Sequence, residues 1–573
     1  MSIVRRDVPA SLASAMSLDL HPVLRRVYAA RHVTPQELDC SLNRLIPVGT
    51  FAGVAAGARR LADARERGER VLVLGDFDAD GATATALSVN CMRAMGFADV
   101  CYLVPNRFKY GYGLSPDIAE RAASLAPDLV MTVDNGISSH AGASRCHELG
   151  IDVLVTDHHL PPEVLPEAAA IVNPNLAGEP FPSKHLAGVG VAFYVMAALA
   201  RELSSRGLAA AEPAQSAVAG CLDLVALGTV ADMVTLDLNN RILVEQGLRR
   251  IRAGRTRPGI LALFAAAGRE PQTASTSDLG FGVAPRLNAA GRLTDMSLGI
   301  ECLLATTSAA AAPLAGKLDA LNRERRVLQA RMVQEAADQL RLVDAVEQGE
   351  QQAYCLFDAT WHEGVVGLVA SRVKDQLGRP AIAFAPAGQA GQLKGSARSV
   401  KGIHIRDVID AVATRHPRLV TRFGGHAMAA GLTLKASDLD AFRSAFAAEM
   451  QRYASQLGGA DIILTDGPLA AGELHLELAD ALRRGGPWGQ GFPEPLFDNE
   501  LEVMEQRLLK ERHLKLRVRH PDERILSDAI AFNHPRLLGL ATGASARFVY
   551  RLDVNAYGTR RDAQLVVEHI QCD

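Results

Sequence analysis

The sequence lacks a surplus of either charge. Its 573 residues include 61 Lys and Arg against 64 Asp and Glu, a formal net charge of −3. A protein dedicated to nucleic acid usually carries a basic excess, so the overall charge gives no indication of a nucleic-acid partner. Hydrophobic residues make up 48% and charged residues 22%, which is typical of globular proteins and excludes a mainly disordered chain. At about 100–200 residues per domain, the length predicts three or four domains.

Long apolar runs and paired cysteines are also absent. The longest uncharged stretches, such as 186–200, are shorter than the about 20 apolar residues that cross a bilayer. The first residues, MSIVRRDVPASLAS, have no apolar core and do not resemble a secretory signal. The eight cysteines are scattered and form no CxxC pair, which argues against a zinc site or a disulfide framework. We therefore predict a cytoplasmic protein with no membrane partner.

Residues 71–175 alternate short apolar runs with helical segments. The runs are VLVLG (71–75), DVCYLV (99–104), DLVMTV (128–133), IDVLV (151–155) and AAIV (169–172). This alternation predicts an α/β fold with a parallel sheet that is covered by helices on both faces.

The rest of the chain divides by pattern. Leucines at three- and four-residue steps predict one long helix over 311–345, either a domain connector or an ordinary packed helix. Residues 352–455 repeat the α/β pattern on a smaller scale, with GSARS and FGGHAMAAG placed in turns or at helix starts. Five predicted strands between 500 and 570, with a short helix (PRLLGLA) after the third, favour an OB-type barrel.

The second predicted barrel strand, 513–519, alternates Leu514, Leu516 and Val518 with Lys515, Arg517 and Arg519. One face would lie in the barrel core and the other would form a basic stripe. The stripe is either a plain solvated face or a contact for a nucleic-acid backbone, and the barrel pattern favours the contact.

Carboxylates follow the first predicted strand. The segment GDFDADG places Asp76, Asp78 and Asp80 within five residues, and these charges repel one another unless a cation neutralises them. An EF-hand is excluded, because the twelfth position of such a loop would be Leu87 instead of Glu.

Two further strand ends and a fourth segment supply similar groups. Asp134 follows the strand 128–133, the triplet Asp157-His158-His159 follows 151–155, and Asp232 ends LGTVAD. The ends of parallel strands share one edge of a sheet, where ligands usually bind. Carboxylates with imidazole and no thiolate suit Mn²⁺ or Mg²⁺. About six ligands exceed the need of one catalytic ion, so we predict two ions, which activate water for phosphoester hydrolysis.

GDFDADG, VDNG, DHH and GTVAD, in this order, resemble the four motifs of the DHH phosphoesterase superfamily. Five more segments are similar to those of its single-stranded-DNA-specific exonucleases: VPNRFKYGYGLS (104–115), APRLNAAGRL (284–293), GSARS (395–399), FGGHAMAAG (423–431) and PWGQGFPEPLF (487–497). The resemblance implies an N-terminal segment with a DHH catalytic domain (1–310), a connecting helix (311–345), a DHHA1-type substrate-binding domain (346–457) and an OB-type nucleic-acid-binding domain (458–573).

The resemblance also implies roles for the motif residues. One metal ion would be held by Asp76, Asp78 and Asp134, and the other by Asp80, Asp134, His158 and Asp232. Alternatively, Asp76 would not bind metal itself but would hydrogen-bond a residue that does. Asp157 would orient a histidine ligand, and His159 would contact the scissile phosphate.

The remaining candidates would contact substrate. They are Arg107, Arg286, Asn288 and Arg292 in loop-like segments, Ser396 and Arg398, the group Gly424, Gly425 and His426 at a predicted helix N-terminus, and Lys515, Arg517 and Arg519. Arginine forks match phosphate oxygens, although a surface ion pair is the alternative for each arginine. Tyr110 and Tyr112 either stack on bases or pack their loop. His404, close to GSARS, is a weaker candidate.

The activity implied is a metal-dependent exonuclease of DNA repair and recombination. It would degrade single-stranded DNA from the 5′ end to nucleoside 5′-monophosphates, with a single-stranded-DNA-binding protein and a repair helicase as partners. Two alternatives stay open: a DHH phosphodiesterase for short oligonucleotides or cyclic dinucleotides, and a scaffold that binds DNA without cutting it.

Overall fold

The computed structural model describes residues 2–110, 113–346, 351–456, 462–509, 513–522, 526–532, 540–555 and 561–572. The first region contains strands β1 (Ser2–Arg5), β2 (Val71–Leu74), β3 (Val100–Leu103), β4 (Leu129–Val133), β5 (Asp152–Thr156) and β6 (Ala170–Val172). Its helices are α1 (Ala10–Ala15), α2 (Pro22–Ala29), α3 (Ala52–Arg67), α4 (Ala79–Ala94), α5 (Pro116–Ala123), α6 (His140–Glu148), α7 (Gly188–Ser205), α8 (Ala211–Ala219), α9 (Leu222–Ala231), α10 (Leu238–Arg252), α11 (Pro258–Ala266), α12 (Ala284–Leu293), α13 (Ser297–Leu304) and α14 (Ser308–Val346).

Strands β2 to β6 form the predicted parallel sheet, in the order β3-β2-β4-β5-β6. Its central strands are wholly buried, as their uninterrupted apolar sequences require. Because all five strands run in one direction, the loops that follow β2, β4 and β5 meet at one edge.

One stretch, Ala211–Ala231, is long and apolar enough to cross a membrane by length and composition alone. It consists of two helices, α8 and α9, and 61% of its most apolar window is buried. Helix α9 packs against α4 and α10 and delivers Asp232 to the edge of the sheet. These contacts are those of a core helix.

Helix α14 joins two cores. Its first half packs on α11, α12 and α13, while Met332, Ala336 and Leu340 pack in a separate core with Trp361. The long helix predicted from the leucine spacing is therefore a connector that is packed at both ends.

The second region contains β7 (Tyr354–Phe357), α15 (Val366–Leu377), β8 (Ala381–Pro386), β9 (Gln392–Arg398), α16 (Ile405–Arg415), β10 (Arg422–Gly425), β11 (Ala429–Lys435) and α17 (Leu439–Met450). The sheet order is β10-β11-β9-β8-β7. The prediction that GSARS and FGGHAMAAG lie in turns or at helix starts is wrong. The first four residues of GSARS form the end of strand β9, and FGGHAMAAG forms the β10–β11 hairpin. Gly, Ser and Ala dominate both segments, and Gly in particular is depleted in strands, which hid the alternation.

The third region contains β12 (Ile462–Thr465), α18 (Leu476–Arg484), β13 (Phe497–Leu509), β14 (His513–Arg519), β15 (Leu526–Ala531), β16 (Ser545–Asn555) and β17 (Asp562–Gln571). The last five strands close a barrel in the order β13-β14-β15-β17-β16, which confirms the OB-type prediction. Most of the helix predicted at 535–541 lies outside the described residues.

The barrel and the first region share one continuous hydrophobic core. Tyr28 of α2 donates a hydrogen bond from its hydroxyl to the Gly485 carbonyl at 2.8 Å, and β1 pairs with β12 in parallel. The third region is thus packed onto the first through a shared core, a side-chain hydrogen bond and a strand pairing. The domain limits at 310, 345 and 457 stay predictions.

Candidate active site

Three strand-end loops and the end of α9 bring the predicted acidic residues together. Asp78 caps α4, where its Oδ1 accepts the Gly81 amide at 3.0 Å. Both oxygens of Asp80 accept backbone amides at the start of α7, from Gly188 at 2.6 Å and Val189 at 3.0 Å. A helix N-terminus carries partial positive charge, so it holds this carboxylate in place.

Asp134 occupies an uncommon backbone conformation. Its φ of 63° lies in the left-handed region, which Asp and Asn adopt more readily than other residues that have a side chain. A Cβ added at Gly188 would lie 2.5 Å from the Asp134 Cβ, so only glycine allows α7 to approach this closely. The left-handed turn and the close approach of α7 together place the Asp134 carboxyl among the other acids.

The cluster contains three groups of possible metal ligands. Asp76, Asp78 and Asp134 form one set, Asp80, His158 and Asp232 a second, and Asp134, His158 and His159 a third, the ligand atoms of each set lying within 4.8 Å of one another. His158 Nε2 lies 3.1 Å from Asp134 Oδ1 and 3.6 Å from Asp232 Oδ2, and so connects the sets. The structure therefore brings together all six residues predicted to hold metal.

The carboxylates of this cluster crowd one another in a buried place. Burial, followed by the neighbouring carboxylates, raises the pKa values of Asp76, Asp134 and Asp232 well above the usual range, and raises that of Asp80 to about 7. Burial lowers the pKa of His158 to about 4, which keeps its ring neutral. Neutral imidazole and crowded carboxylates are the forms that bind divalent cations.

Two atoms of the cluster are left for metal ions. Asp76 Oδ1 and His158 Nε2 are buried and have no hydrogen-bond partner among the described residues. The His158 ring donates its other N–H to the Leu186 carbonyl, which directs Nε2 into the cluster. A ring nitrogen that faces carboxyl groups in this way is stabilised by a proton on one of them or, when metal is bound, by a cation between them.

Asp157 orients His159, and not the proposed ligand His158. Asp157 Oδ1 accepts from His159 Nδ1 at 2.7 Å and from the amides of His158 and His159, while Oδ2 accepts the Ile137 amide at 2.9 Å. Burial opposes protonation of His159, but the bond and charge of Asp157 outweigh it and raise the His159 pKa to about 9. His159 thus carries a proton at neutral pH.

Arg107, Arg292 and Arg398 form a partly buried arginine cluster beside the acids. None of the three forms an ion pair with a carboxylate within the part of the chain that the structure describes. Burial, and then the charges of Arg107 and Arg398, lower the Arg292 pKa to about 10. Burial and Arg107 likewise lower the pKa of Arg398, whose Nη1 donates to Ser396 Oγ at 2.9 Å. Arg107 lies over the Phe77 ring, 4.6 Å from its centre. Gathered cations of this kind are a site for an anion such as phosphate.

Two other predicted contacts do not face the cleft. Arg286 is buried and forms an ion pair with Asp319 at 2.8 Å, which ties α12 to α14; its contact with phosphate stays a prediction. Asn288 Oδ1 accepts the amide of Ala79 at 2.8 Å. Asn288 therefore supports the loop that carries Asp78, rather than the substrate.

The β10–β11 hairpin faces the acids across a cavity of about 470 Å³. The cavity is lined by His158, His159, Leu160, Asp232, His404, Arg406, Gly425, His426 and Ala427. The rings of His159 and His426 are stacked with centres 6.3 Å apart. Gly424 and Gly425 thus belong to a strand, and not to the helix N-terminus that the sequence suggested. His404 caps α16 and also lines the cavity.

The basic stripe of β14 carries its own carboxylates. Lys515 lies 3.2 Å from Asp528, Arg517 lies 3.4 Å from Glu505, and Arg519 lies 2.5 Å from Glu502. The stripe is therefore not a surplus of positive charge. Tyr110 packs against a hydrophobic core, while Tyr112 lies outside the described residues.

Sequence reasoning missed the asparagines that follow β6. The Asn173 side chain donates to the His159 carbonyl at 2.8 Å, and that of Asn175 donates to the His158 carbonyl at 2.7 Å. They fix the backbone that presents both histidines. The sequence could have predicted them, since AIVNPN places both asparagines directly after a strand, at the same edge of the sheet.

Comparison with known proteins gives the same division. The DHH family N-terminal domain matches residues 70–229, the DHHA1 domain matches 349–452 and the RecJ OB domain matches 465–569. The fold is similar to the crystal structure of RecJ from Thermus thermophilus in complex with Mn²⁺, with a TM-score of 0.80 and 29% identity over 100% of this chain and 79% of that one. The corresponding Mg²⁺ complex gives a TM-score of 0.74 at 27% identity, over 100% and 78%.

Whole-chain relatives are more similar in sequence. The single-stranded-DNA-specific exonuclease RecJ of Dickeya dadantii (strain 3937) is 50% identical over 559 residues, which cover 96% of each chain. The protein of the same name from Escherichia coli (strain K12) is 47% identical over 572 residues, covering 99% of this chain and 98% of the relative. The chain therefore belongs to the family of the single-stranded-DNA-specific exonuclease RecJ, within the DHH superfamily.

Proposed function

We propose that this protein is a metal-dependent exonuclease that degrades single-stranded DNA from its 5′ end to nucleoside 5′-monophosphates. One observation carries the proposal: six side chains that could ligate metal converge beside the partly buried arginine cluster in a cleft lined by both α/β regions. The first set of side chains would hold the metal ions that activate water, and the arginine cluster would bind a phosphate of the substrate. The whole-length similarity to RecJ proteins of other bacteria supports DNA as the substrate.

Two divalent ions, Mn²⁺ or Mg²⁺, would be held by the side chains of the cluster. Asp76, Asp78 and Asp134 form one set, and Asp80, His158 and Asp232 join Asp134 in the other. When bound, such ions lower the pKa of water and stabilise the attacking and leaving oxygens of a phosphodiester. RecJ from Thermus thermophilus has been crystallised with each of these metals.

The protein's own groups bind the substrate and supply a proton. Arg107, Arg292 and Arg398 hold phosphate oxygens. Protonated His159 faces the cavity, where it donates a hydrogen bond to the scissile phosphate or a proton to the leaving oxygen. Asp157 fixes the His159 ring at 2.7 Å, and the hairpin residues Gly425 and His426 cover the opposite wall.

Strand specificity would follow from the dimensions of the cleft. The cleft is narrow at His159 and His426, whose ring centres lie 6.3 Å apart, and a duplex would not pass this point. The barrel would hold the strand further away, through stripe residues Lys515, Arg517 and Arg519. Because these cations are paired with carboxylates, we expect their contribution to be smaller than that of the arginine cluster.

The biological setting follows the same proposal. We infer a role in DNA repair and recombination in the cytoplasm, with a single-stranded-DNA-binding protein and a helicase as partners. The proposed organisation is a catalytic domain (1–310), a connecting helix (311–345), a substrate-binding domain (346–457) and a barrel domain (458–573).

End-labelled oligonucleotides test the proposal. In Mn²⁺ we expect mononucleotides to be released from the 5′ end of single strands, with no release in EDTA and slow attack on blunt duplexes. Substrates with and without a 5′ phosphate report how the terminus is recognised. Equal rates on duplexes, or hydrolysis of dinucleotides and cyclic dinucleotides alone, would contradict the proposal and favour a small-substrate phosphodiesterase.

A further inference from the structure

The motif PWGQGFPEPLF packs against the loop that carries the proposed metal ligand Asp232. We call residues 232–237 the ligand loop and residues 486–493 the glycine turn. The turn is closed on itself, since Gly489 donates to the Phe492 carbonyl at 2.8 Å and Phe492 donates to the Gly489 carbonyl at 3.1 Å. Its role is unexplained by substrate binding, because it contributes nothing to the lining of the cavity.

The glycine turn and the ligand loop touch without intervening side chains. The Leu236 amide donates to the Gln490 carbonyl at 2.7 Å. A Cβ added at Gly491, whose φ is 73°, would lie 2.5 Å from Thr235 Cγ2. A Cβ added at Gly489 would lie 2.7 Å from the end of the Leu236 side chain. A side chain at Gly491 would therefore push the two segments apart, and one at Gly489 would crowd the end of Leu236.

The ligand loop depends on outside support. After α9 ends, Met233 adopts a φ of 60°, a conformation unfavourable for this residue, and its side chain is 72% exposed. Asn240 holds the Thr235 carbonyl at 2.9 Å from the α10 side. The bond from Leu236 to the turn supplies a second anchor, only four residues from Asp232.

The glycine turn is itself rigid. Trp488 stacks on Phe492 with centres 4.9 Å apart, and its Nε1 donates to the Leu482 carbonyl at 2.8 Å. Arg31, just after α2, lies over Trp488 at 5.4 Å, and Arg241 of α10 lies over Phe492 at 4.4 Å. The turn is thus fixed to helices of both the first and the third region.

We propose that the glycine turn positions Asp232, and that Gly491 is a positioning residue for the metal centre. The third region then contributes to metal affinity as well as to DNA binding. The inference rests on the proposed function only in assigning Asp232 as a metal ligand. It also predicts that removal of residues 458–573 impairs the metal centre, and not merely the grip on DNA.

The test is Gly491→Ala with Gly543→Ala as its matched control. Both glycines have positive φ, 73° and 89°, but a Cβ at Gly543 would meet nothing within 4 Å. We titrate full-length protein with Mn²⁺ in the absence of DNA and measure free Mn²⁺ by electron paramagnetic resonance. Gly491→Ala is expected to weaken Mn²⁺ binding about 10-fold, as the loss of an outer partner of a metal ligand does. Gly543→Ala, with similar backbone strain, should bind as the parent does.

A second substitution provides a rescue. Thr235→Ser removes the Cγ2 methyl that the new side chain would strike, so the double variant should regain most of its Mn²⁺ affinity. If Gly491→Ala fails to fold, Gly489→Ala decides: its added methyl would lie 2.7 Å from the end of the Leu236 side chain, so a smaller but measurable loss of Mn²⁺ affinity is expected. Unchanged Mn²⁺ affinity in the variant that folds, or an equal loss in Gly543→Ala, overturns the inference. Because Mn²⁺ binding is measured without DNA, the result tests the role of the glycine turn even if the exonuclease proposal fails.

Discussion

His158 Nε2 faces Asp134 Oδ1 at 3.1 Å although neither the charge nor the tautomer of the ring favours the contact. The ring is neutral, because burial lowers its pKa to about 4, and its donor N–H is committed to the Leu186 carbonyl. A lone pair therefore points at a carboxylate. The contact becomes favourable when a proton, which the raised pKa of the Asp134 carboxyl allows, or a cation lies between the two atoms. The geometry is that of a binding site assembled before its metal arrives.

Asp134→Asn separates metal binding from folding. Asn tolerates the φ of 63°, so the backbone should be kept. In EDTA the variant should melt at a higher temperature than the parent, because one of several mutually repelling buried carboxylates is gone. In Mn²⁺ the order should reverse, and kcat should fall at least about 100-fold. Paired thermal melts and oligonucleotide digests measure these effects.

The control for this variant is Asp223→Asn. Asp223 is a buried carboxylate that is already paired with Arg257 at 3.2 Å, remote from the cluster. Its substitution should lower the melting temperature in both EDTA and Mn²⁺. A rise in EDTA for both variants, or for neither, would show that the acidic cluster is not under electrostatic strain.

Asp157→Asn tests the role of His159 apart from the metal ligands. The amide keeps a similar shape but cannot stabilise a protonated ring, so His159 loses the partner that raises its pKa to about 9. We expect kcat to fall about 100-fold, the usual scale for losing general acid catalysis. Mn²⁺ affinity should change little, because His158 is held by Leu186 instead. A parallel loss of Mn²⁺ affinity would assign Asp157 to the metal site.

The metal cluster could be predicted from the sequence because its parts are local. Each acid directly follows a strand or a helix, and parallel topology alone then places the strand ends at one edge. The partners of the arginines could not be predicted in this way. Arg286 and Arg292 lie on the same helix, yet one is paired with Asp319 of α14 and the other has no carboxylate partner within the described part of the chain. That difference depends on how α12 packs, which spacing does not encode.

The basic stripe shows a similar limit. The prediction that basic and apolar residues alternate along β14 is confirmed. However, Glu502, Glu505 and Asp528 of the neighbouring strands β13 and β15 lie beside the basic residues. Their positions depend on the register between strands, including a shift between Val503 and Glu505. The local sequence of β14 shows its basic residues but does not show the acidic residues that lie opposite them on the neighbouring strands.

Arg292→Gln tests the arginine cluster as an anion site. The parent buries mutually repelling guanidinium groups, so inorganic phosphate should raise its melting temperature more than chloride at equal ionic strength. Removing one cation should make the phosphate increment smaller and raise KM for DNA. Arg286→Gln is the matched control, because it leaves buried Asp319 without its α12 partner and costs about 3 kcal/mol. Its phosphate increment should equal that of the parent; equal increments in all three proteins would exclude an anion site.

Glu502→Gln tests whether the stripe touches the strand. Arg519 lies 2.5 Å from Glu502, so the substitution frees a cation on the barrel surface. Single-stranded DNA should then bind a few-fold more tightly at low salt, and the salt dependence should steepen by about one released counterion. Fluorescence anisotropy in EDTA measures both. Glu568→Gln removes one of the two carboxylates paired with Arg551 of β16, and so makes the same change of charge away from the stripe; it should leave binding unchanged. Identical effects of the two variants would show only a general electrostatic contribution.

Asp498 links the N-terminal strand to the barrel, and its substitution should make stability less dependent on pH. Its side chain is fully buried, and it accepts hydrogen bonds from Arg5 at 2.9 Å, Arg547 at 2.7 Å and Thr465 at 2.5 Å. Burial alone would raise its pKa, but these donors lower it below the usual range. A carboxyl with a lowered folded-state pKa stabilises the fold above its unfolded pKa, about 3.9, and loses this effect as the pH falls through the folded value.

Asp498→Asn should therefore destabilise the protein by about 3 kcal/mol at pH 7, the scale for removing one partner of a buried ion pair. The difference from the parent should be constant above about pH 5 and shrink below about pH 4, as the parent's own carboxyl becomes protonated. Asp480→Asn provides the comparison, because the pair of Asp480 with Arg561 is more exposed and is expected to contribute at most about 1 kcal/mol. Denaturant unfolding across this pH range measures both variants. A difference that grows on acidification would mean that Asp498 is protonated in the folded protein, and that Arg5 and Arg547 are held there by other groups.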